Sequence, residues 1–84
     1  MKAIRLSHHA RLRCRSRGTN EREVRQAVIR GIREQAKKGR LLCRLNFQYN
    51  QSWRGQRYAI KQVAPVIVEK PDEIVVVTVY TFFF

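Results

Sequence analysis

Three side chains near the start of the chain, His9, Arg13 and Arg17, have a spacing that suits phosphate chemistry. They lie within residues 7–18, a stretch with two histidines and four arginines but no carboxylate. A step of four residues turns a helical position by only about 40°, so the three side chains share one helix face. A neutral imidazole accepts protons, and guanidinium groups grip phosphate. The spacing therefore predicts a site that binds a phosphate and moves a proton.

Less specific interpretations of these three residues remain open from the sequence. His9 would also fit as a helix cap or as a hydrogen-bonded core residue. Arg13 and Arg17 would also fit as partners of sheet carbonyls or of carboxylates later in the chain. Those carboxylates belong to Glu69, Asp72 and Glu73. The alignment of both arginines with His9 is what favours the phosphate site.

Two helices are predicted to carry and support these residues. Ser7 is a good N-cap and Gly18 suits the position just after a helix, so a first helix is predicted over residues 7–17. A second helix is predicted from an N-cap at Asn20 to an end at Gly39, after two lysines that suit its negative end. Its apolar stripe has helical spacing and consists of Val24, Ala27, Val28, Gly31 and Ile32. Gly31 is expected to allow close packing against another element.

The remainder of the chain has the period-two pattern of strands. A short first strand is predicted before the helices, and at least three antiparallel strands after them. The predicted strands cover residues 2–6, 41–50, 57–69 and 74–82. Pro65 disfavours a central, unbroken strand. We therefore predict one α+β domain over residues 1–84, with two N-terminal helices on one face of a mainly antiparallel sheet.

Polar and aromatic residues on the predicted strands extend the candidate site. Thr78 and Tyr80 alternate within a valine run and so share a sheet face, where they would bind phosphate and stack a base or donate a proton. They are also simply good strand residues. The aromatic tail 82–84 would either close the core or bind a partner. Further contacts to nucleic acid are predicted for the remaining candidate arginines, which are Arg11, Arg15, Arg44, Arg54 and Arg57.

The charge balance indicates a polyanionic partner. The chain of 84 residues has 18 basic and 6 acidic residues, a formal net charge of +12. Nucleic acid is the commonest such partner, and an acidic protein is the other. Cys14 and Cys43 lack metal-site spacing and fit the core, so neither a metal nor another cofactor is expected. We find no signal peptide or apolar run long enough for a membrane, which predicts a cytoplasmic protein.

The pattern His9-Ala10, Arg13, Arg17-Gly18, with a final strand reading VVVTVY, resembles a group of small prokaryotic toxin-like domains of unknown function. These lie near the RelE/BrnT-type toxins of the barnase–EndoU–colicin–RelE ribonuclease fold. The resemblance implies a RelE-like βααβββ fold and a metal-free ribonuclease neutralised by a cognate antitoxin. It also implies active-site positions on the first helix and the last strand. Carried over, these are His9, Arg13, Arg17, Thr78 and Tyr80.

Two classes of function follow. The first is a metal-independent endoribonuclease, in which His9 assists attack by a ribose 2′-hydroxyl on mRNA or a ribosome-associated RNA. The second is a non-catalytic domain on the same fold, which binds RNA or an acidic antitoxin-like protein. The sequence leaves catalytic activity and homo-oligomer formation open.

Overall fold

Strand β1 (Ala3–Leu6) leads through a single residue into helix α1 (His8–Arg17). The computed structural model of the chain describes residues 2–84. The hydroxyl of Ser7 accepts a hydrogen bond from the Ala10 amide at 3.1 Å, and Gly18 ends the helix in the left-handed region with φ of 74°. The predicted first helix and both of its caps are therefore confirmed.

Helix α2 (Glu21–Arg30) begins where it is predicted but ends much earlier. The Asn20 side chain accepts from the Glu23 amide at 2.9 Å, which confirms the N-cap. The predicted end at Gly39 is wrong, because the chain becomes extended at Gly31. A Cβ atom on Gly31 would lie 2.8 Å from the carbonyl oxygen of Arg44, so the expected close approach is real. This approach directs the chain into the sheet instead of into another helical turn.

The segment after α2 is exposed and mostly extended. It forms the edge strand β2 (Ile32–Gln35) and one 3₁₀ turn (Lys37–Gly39). Ile32 is 78% exposed and does not belong to the core stripe, whereas Val24, Ala27 and Val28 are buried as predicted. The pattern was misleading here because a single isoleucine at helical spacing also fits a strand that lies at the sheet edge.

Three long strands complete a five-stranded sheet, namely β3 (Leu41–Trp53), β4 (Gln56–Glu69) and β5 (Glu73–Phe83). The strand order is β1-β5-β4-β3-β2. Only the β1–β5 pair is parallel, and the other three pairs are antiparallel. The α+β class, the N-terminal position of the helices and the mainly antiparallel sheet are confirmed.

Strand β4 is the central strand and runs unbroken through Pro65, which contradicts the expectation for this proline. Pro65 pairs with Val79 of β5. On the other side, the β3–β4 register passes from Leu42↔Val66 directly to Leu45↔Val63. The pairing of β3 with β4 is therefore interrupted beside Pro65, because the proline nitrogen has no hydrogen to donate.

The core lies between the two helices and one face of the sheet. Its largest side chains come from α2 and the central strands, with Ala10 and Cys14 as the contribution of α1. Cys14 and Cys43 are both buried free thiols, as predicted, and burial raises the pKa of each. Because Ala10 and Cys14 form a narrow line, most of the α1 surface stays outside the core.

The aromatic tail is partly packed and partly exposed. The Phe83 ring lies 5.3–5.4 Å, centroid to centroid, from three rings of the β3–β4 hairpin, those of Tyr49, Trp53 and Tyr58. Its neighbours Phe82 and Phe84 are 40% and 64% exposed. Phe83 therefore closes a small aromatic cluster at the far end of the sheet, and the other two rings remain at the surface.

Candidate functional site

Helix α1 lies against β5 beyond the point where strand β1 ends. β1 pairs with β5 only as far as Leu6↔Val76, and the backbone amide of Ser7 then donates to the Val76 carbonyl at 3.0 Å. The Ser7 hydroxyl also donates to the Val77 carbonyl at 3.2 Å. Ser7 therefore starts the helix and holds its first turn on the last strand.

A bulge at Val77 decides which side chains of β5 turn toward the site. The β4–β5 register passes from Ile67↔Val76 to Val66↔Thr78, so Val77 is an extra residue. Val76 and Val79 are both fully buried under the helices. Strict alternation would place Thr78 on the same face as Val76, but the extra residue moves Thr78 away from the core.

The structure brings His9, Arg13 and Thr78 into direct contact. The His9 Nε2 atom lies 3.2 Å from Thr78 Oγ1 and 3.4 Å from Arg13 Nε. Arginine always donates, so its contact requires an unprotonated Nε2 and a ring proton on Nδ1. The Thr78 hydroxyl lies within hydrogen-bond distance of the same nitrogen. The imidazole is exposed, and both contacts meet at its Nε2 atom.

Arg17 and Tyr80 lie further along α1 and β5 and extend these three residues into a row of five. The Arg17 guanidinium carbon lies 5.7 Å from the centre of the Tyr80 ring, within cation–π distance. Tyr80 is 43% exposed. The five residues predicted as a catalytic set thus form one continuous row along the boundary between α1 and β5.

The contacts of His9, Arg13 and Arg17 do not fit the less specific interpretations of these residues. The N-cap of α1 is Ser7, and His9 is exposed, so His9 neither caps the helix nor lies in the core. Glu69 pairs with Lys2 and Arg33, and Glu73 with Arg5. Within residues 2–84, no carboxylate lies within ion-pair distance of Arg13 or Arg17.

Side chains from the sheet and hairpin satisfy the carbonyls at the end of α1. Thr81 Oγ1 donates to the Arg17 carbonyl at 2.6 Å, Lys61 Nζ to Gly18 at 3.0 Å, and Arg54 Nη2 to Ser16 at 2.8 Å. Arginines in a last helical turn often make such bonds themselves. Here that function is supplied from outside the helix, and the guanidinium groups of Arg13 and Arg17 face outward.

A cleft of about 390 Å³ opens between this end of α1 and the β3–β4 hairpin. It is lined by three arginines, two aromatic rings and two hydroxyl groups, from Arg13, Ser16, Arg17, Trp53, Arg54, Thr81 and Phe83. The Trp53 ring is stacked on Phe83 at 5.3 Å, and the Arg54 guanidinium lies 5.0 Å from the Trp53 centroid. Arg13 and Arg17 belong both to this cleft and to the row with His9.

A second cleft, of about 340 Å³, lies on the sheet face opposite the helices and contains Thr78 and Tyr80. Its apolar floor is formed by Leu42 and Val66, which occupy the same cross-strand row as Thr78. Its rim carries three cations that we did not predict as functional, Lys37, Lys38 and Arg40. In the sequence, two lysines before a glycine fit the end of a helix as well as they fit a cleft rim. Their position on the rim follows only once α2 is known to end early.

The five additional arginines predicted to contact nucleic acid do not form one surface. Arg54 lies in the hairpin cleft, whereas Arg11 forms an ion pair with Glu21 at 2.6 Å. Arg44 is bonded to Glu34 and Gln62 on the sheet face opposite the helices. Arg15 borders a depression beside Cys14, and Arg57 is exposed at the start of β4. Of the five, only Arg54 adjoins the row with His9.

Most basic residues have no carboxylate beside them in residues 2–84. Seven basic residues form ion pairs, so eleven of the 18 have no carboxylate within 4.0 Å among residues 2–84. The basic partners of the acidic residues lower the pKa values of three carboxyl groups. Hydrogen bonds from Arg25, Lys2 and Arg5 lower the pKa values of Glu21, Glu69 and Glu73, in that order.

Two further observations concern metals and membranes. In the described part of the chain, no three histidine, cysteine or acidic side chains cluster closely enough to hold a metal ion. Neither helix of residues 2–84 is long and apolar enough to cross a bilayer.

Comparison with known proteins adds no relative. The chain matches no protein-family model, no curated protein and no solved structure.

Proposed function

We propose that the protein is a metal-independent endoribonuclease, with a RelE-like fold and the role of a toxin in a toxin–antitoxin pair. The observation that carries the proposal is the contact of His9 Nε2 with Thr78 Oγ1 and Arg13 Nε, at 3.2 and 3.4 Å. It joins a proton acceptor to a hydroxyl and to a cation, and neither this cation nor Arg17 on the same helix face has a carboxylate partner in residues 2–84. Such a combination suits a reaction that develops negative charge on phosphate.

In the proposed reaction, the ribose 2′-hydroxyl takes the place of Arg13 and Thr78 at His9 Nε2 and gives its proton to that nitrogen. The 2′ oxygen forms a bond to the adjacent phosphorus while the bond from phosphorus to the 5′ oxygen breaks. Arg13 and Arg17 stabilise the charge on the phosphoryl oxygens. Tyr80 donates a proton to the departing 5′ oxygen. The products are a 2′,3′-cyclic phosphate and a 5′-hydroxyl, and Thr78 positions the imidazole before the substrate binds.

The substrate class of the proposal is RNA, either mRNA or RNA at the ribosome. It is supported by the eleven cations that have no carboxylate within 4.0 Å among residues 2–84, since neutralising phosphates releases counterions and drives binding. The same charge would attract an acidic antitoxin. The proposal places the protein in the cytoplasm, where both partners occur.

A non-catalytic RNA-binding domain is the second candidate. Its specific support is the cleft rimmed by Lys37, Lys38 and Arg40, which combines cations with the exposed ring of Tyr80 and needs no proton transfer. Base stacking on an aromatic ring beside cations is common in domains that only bind RNA.

RNA cleavage in the presence of EDTA tests the proposed function. The purified protein should convert RNA to fragments with 2′,3′-cyclic phosphate ends. A His9→Gln variant should lose about 10²- to 10⁴-fold in rate, the usual contribution of a general base. His8→Gln is the matched control, since His8 is exposed on another face of the same helical turn.

Each result has a definite meaning for the proposal. Equal loss in both histidine variants would remove His9 from the mechanism. RNA binding by wild type and His9→Gln without any cleavage would favour the second candidate. No affinity for RNA at moderate salt would leave the acidic protein as the partner.

A further inference from the structure

The cleft between the end of α1 and the β3–β4 hairpin combines cationic and aromatic side chains. Arg13, Arg17 and Arg54 all line it, and none of the three has a carboxylate within ion-pair distance in residues 2–84. Three guanidinium groups along one cleft, without a carboxylate beside them in residues 2–84, create a positive potential that attracts an anion. The cleft therefore has the charge of an anion site.

The hairpin adds a planar platform to this charge. Phe83 and Trp53 are stacked with an interplanar angle of 16°, and the Arg54 guanidinium lies over the Trp53 ring. A hydrogen bond to the Ser16 carbonyl fixes Arg54 in this position. Planar guanidinium and aromatic groups are the surfaces on which nucleobases stack. The cleft thus offers a stacking surface beside a phosphate-binding surface.

The platform is rigid because it is built onto the helix end. The outer edge of the Trp53 ring occupies the space beside Gly18, where a Cβ atom would lie 2.8 Å from the ring. Arg54 and Gly55 have φ of 51° and 85° and form the tight turn that brings Trp53 there. Little conformational freedom is left to lose when a ligand binds, which favours affinity.

We propose that this cleft binds one nucleotide of a single-stranded RNA, with its base on the Arg54–Trp53 stack and its phosphate between Arg13 and Arg17. A base in a duplex is stacked on both faces and cannot enter, so the site selects single strands. Arg13 and Arg17 are also the proposed ligands of the scissile phosphate, so the phosphate bound here is the scissile one, and its nucleotide carries the base that lies on the stack. That identity rests on the proposed ribonuclease function, whereas the ligand class rests on the cleft alone.

Trp53 is the single tryptophan of the chain, so its fluorescence reports on this cleft directly. The probe is a single-stranded RNA of about six nucleotides, with 2′-O-methyl groups that remove the attacking hydroxyl and prevent cleavage. Titration should change the Trp53 emission saturably. The same RNA annealed to its complement should bind at least about tenfold more weakly. An acidic peptide of equal charge should leave the emission unchanged.

Arg54→Asn is the informative variant because asparagine followed by glycine is favoured in such tight turns, so the hairpin is retained. It should weaken binding of the probe, measured by anisotropy of a labelled RNA, by about five- to tenfold. Arg22→Gln removes the same charge from an exposed position on α2 that does not line the cleft, and should change the Kd less than about twofold.

The outcomes separate this inference from the proposed function. A Trp53 response that depends on Arg54, in a protein that never cleaves RNA, would support the nucleotide site and reject the ribonuclease. Cleavage that depends on His9, with equal effects of Arg54→Asn and Arg22→Gln and a silent Trp53, would reject the nucleotide site alone. Equal binding of the duplex or an equal response to the acidic peptide would also overturn it.

Discussion

Two threonines of β5, Thr78 and Thr81, both contact α1, but their hydroxyl groups have different partners. The Thr78 hydroxyl contacts the exposed imidazole of His9, whereas the Thr81 hydroxyl donates to the Arg17 carbonyl at a half-buried position. A hydroxyl that orients a reacting group affects rate, and one that satisfies a helix carbonyl affects stability. Single substitutions can therefore distinguish the two.

Thr78→Val should slow the proposed RNA cleavage by about fivefold, since one neutral hydrogen bond is worth about 1 kcal/mol. Its urea midpoint should stay near that of the wild type, because Thr78 contacts a side chain at the surface.

Thr81→Val is the matched control and should have the reverse pattern. It should lower the free energy of unfolding by about 1–2 kcal/mol, because the Arg17 carbonyl loses its donor in a half-buried place. A loss of stability in Thr78→Val equal to that in Thr81→Val would contradict this separation.

At the residue scale, much of the candidate site could be predicted from local signals. Ser7, Gly18 and Asn20 are found in the capping positions that their types favour. The shared face of His9, Arg13 and Arg17 follows from helix geometry alone. Arg54 is predicted as a contact to nucleic acid, but the position of Arg54 and Trp53 beside α1 could not be predicted, because both residues reach the helix through a hairpin more than thirty residues later in the chain.

At the element scale, the α1–α2 connection is fixed by one buried ion pair. Lys61 of β4 is only 6% exposed and lies 2.7 Å from Glu23 of α2. It also donates to the Gly18 carbonyl and lies over the Tyr49 ring. The pair therefore joins the end of one helix, the start of the next and the central strand.

Lys61→Ala should lower the free energy of unfolding by about 3–5 kcal/mol, because it leaves the Glu23 carboxylate without its partner in a buried place. The measurement is urea unfolding followed by circular dichroism. The double variant Lys61→Met/Glu23→Gln should recover a large part of this loss, since no uncompensated charge remains. Additive losses in the double variant would show that the two residues stabilise the fold independently.

The elements that sequence patterns misplaced share a physical cause. The early end of α2 depends on the close approach of Gly31 to Arg44, and the bulge at Val77 depends on pairing with β4. Both are tertiary contacts between distant segments. The spacing of apolar residues in a sequence reflects only which positions of a helix or strand are buried. Neither of these two contacts leaves a trace in that spacing, so the spacing could not predict them.

At the scale of the whole molecule, six carboxylates are surrounded by 18 basic residues. The folded-state pKa values of Glu21, Glu69 and Glu73 are all lowered by hydrogen bonds from basic partners. A carboxylate with a lowered pKa stabilises the fold when it is ionised. Protonation removes that contribution and adds to a net charge that is already +12.

Stability should therefore fall in acid. The unfolded chain binds more protons through this range, so the contribution is complete above the ordinary value of 4.5 and is lost as the pH falls through the lowered folded values. The urea midpoint should decrease between about pH 6 and pH 3. In Glu69→Gln the decrease should be shallower, because that carboxylate no longer titrates. A midpoint independent of pH over this range would refute the expectation.

The supply of helix carbonyl partners by Thr81, Lys61 and Arg54 has a consequence for how this surface can be altered. Arg13 and Arg17 are left with little part in holding α1 together, so most other side chains should be tolerated at both positions without loss of the fold. The chain can therefore exchange these two arginines, and with them the ligand that it is proposed to bind, while its architecture stays intact. The proposed specificity is in that sense modular, because the side chains proposed to bind the ligand lie on a helix that other residues anchor.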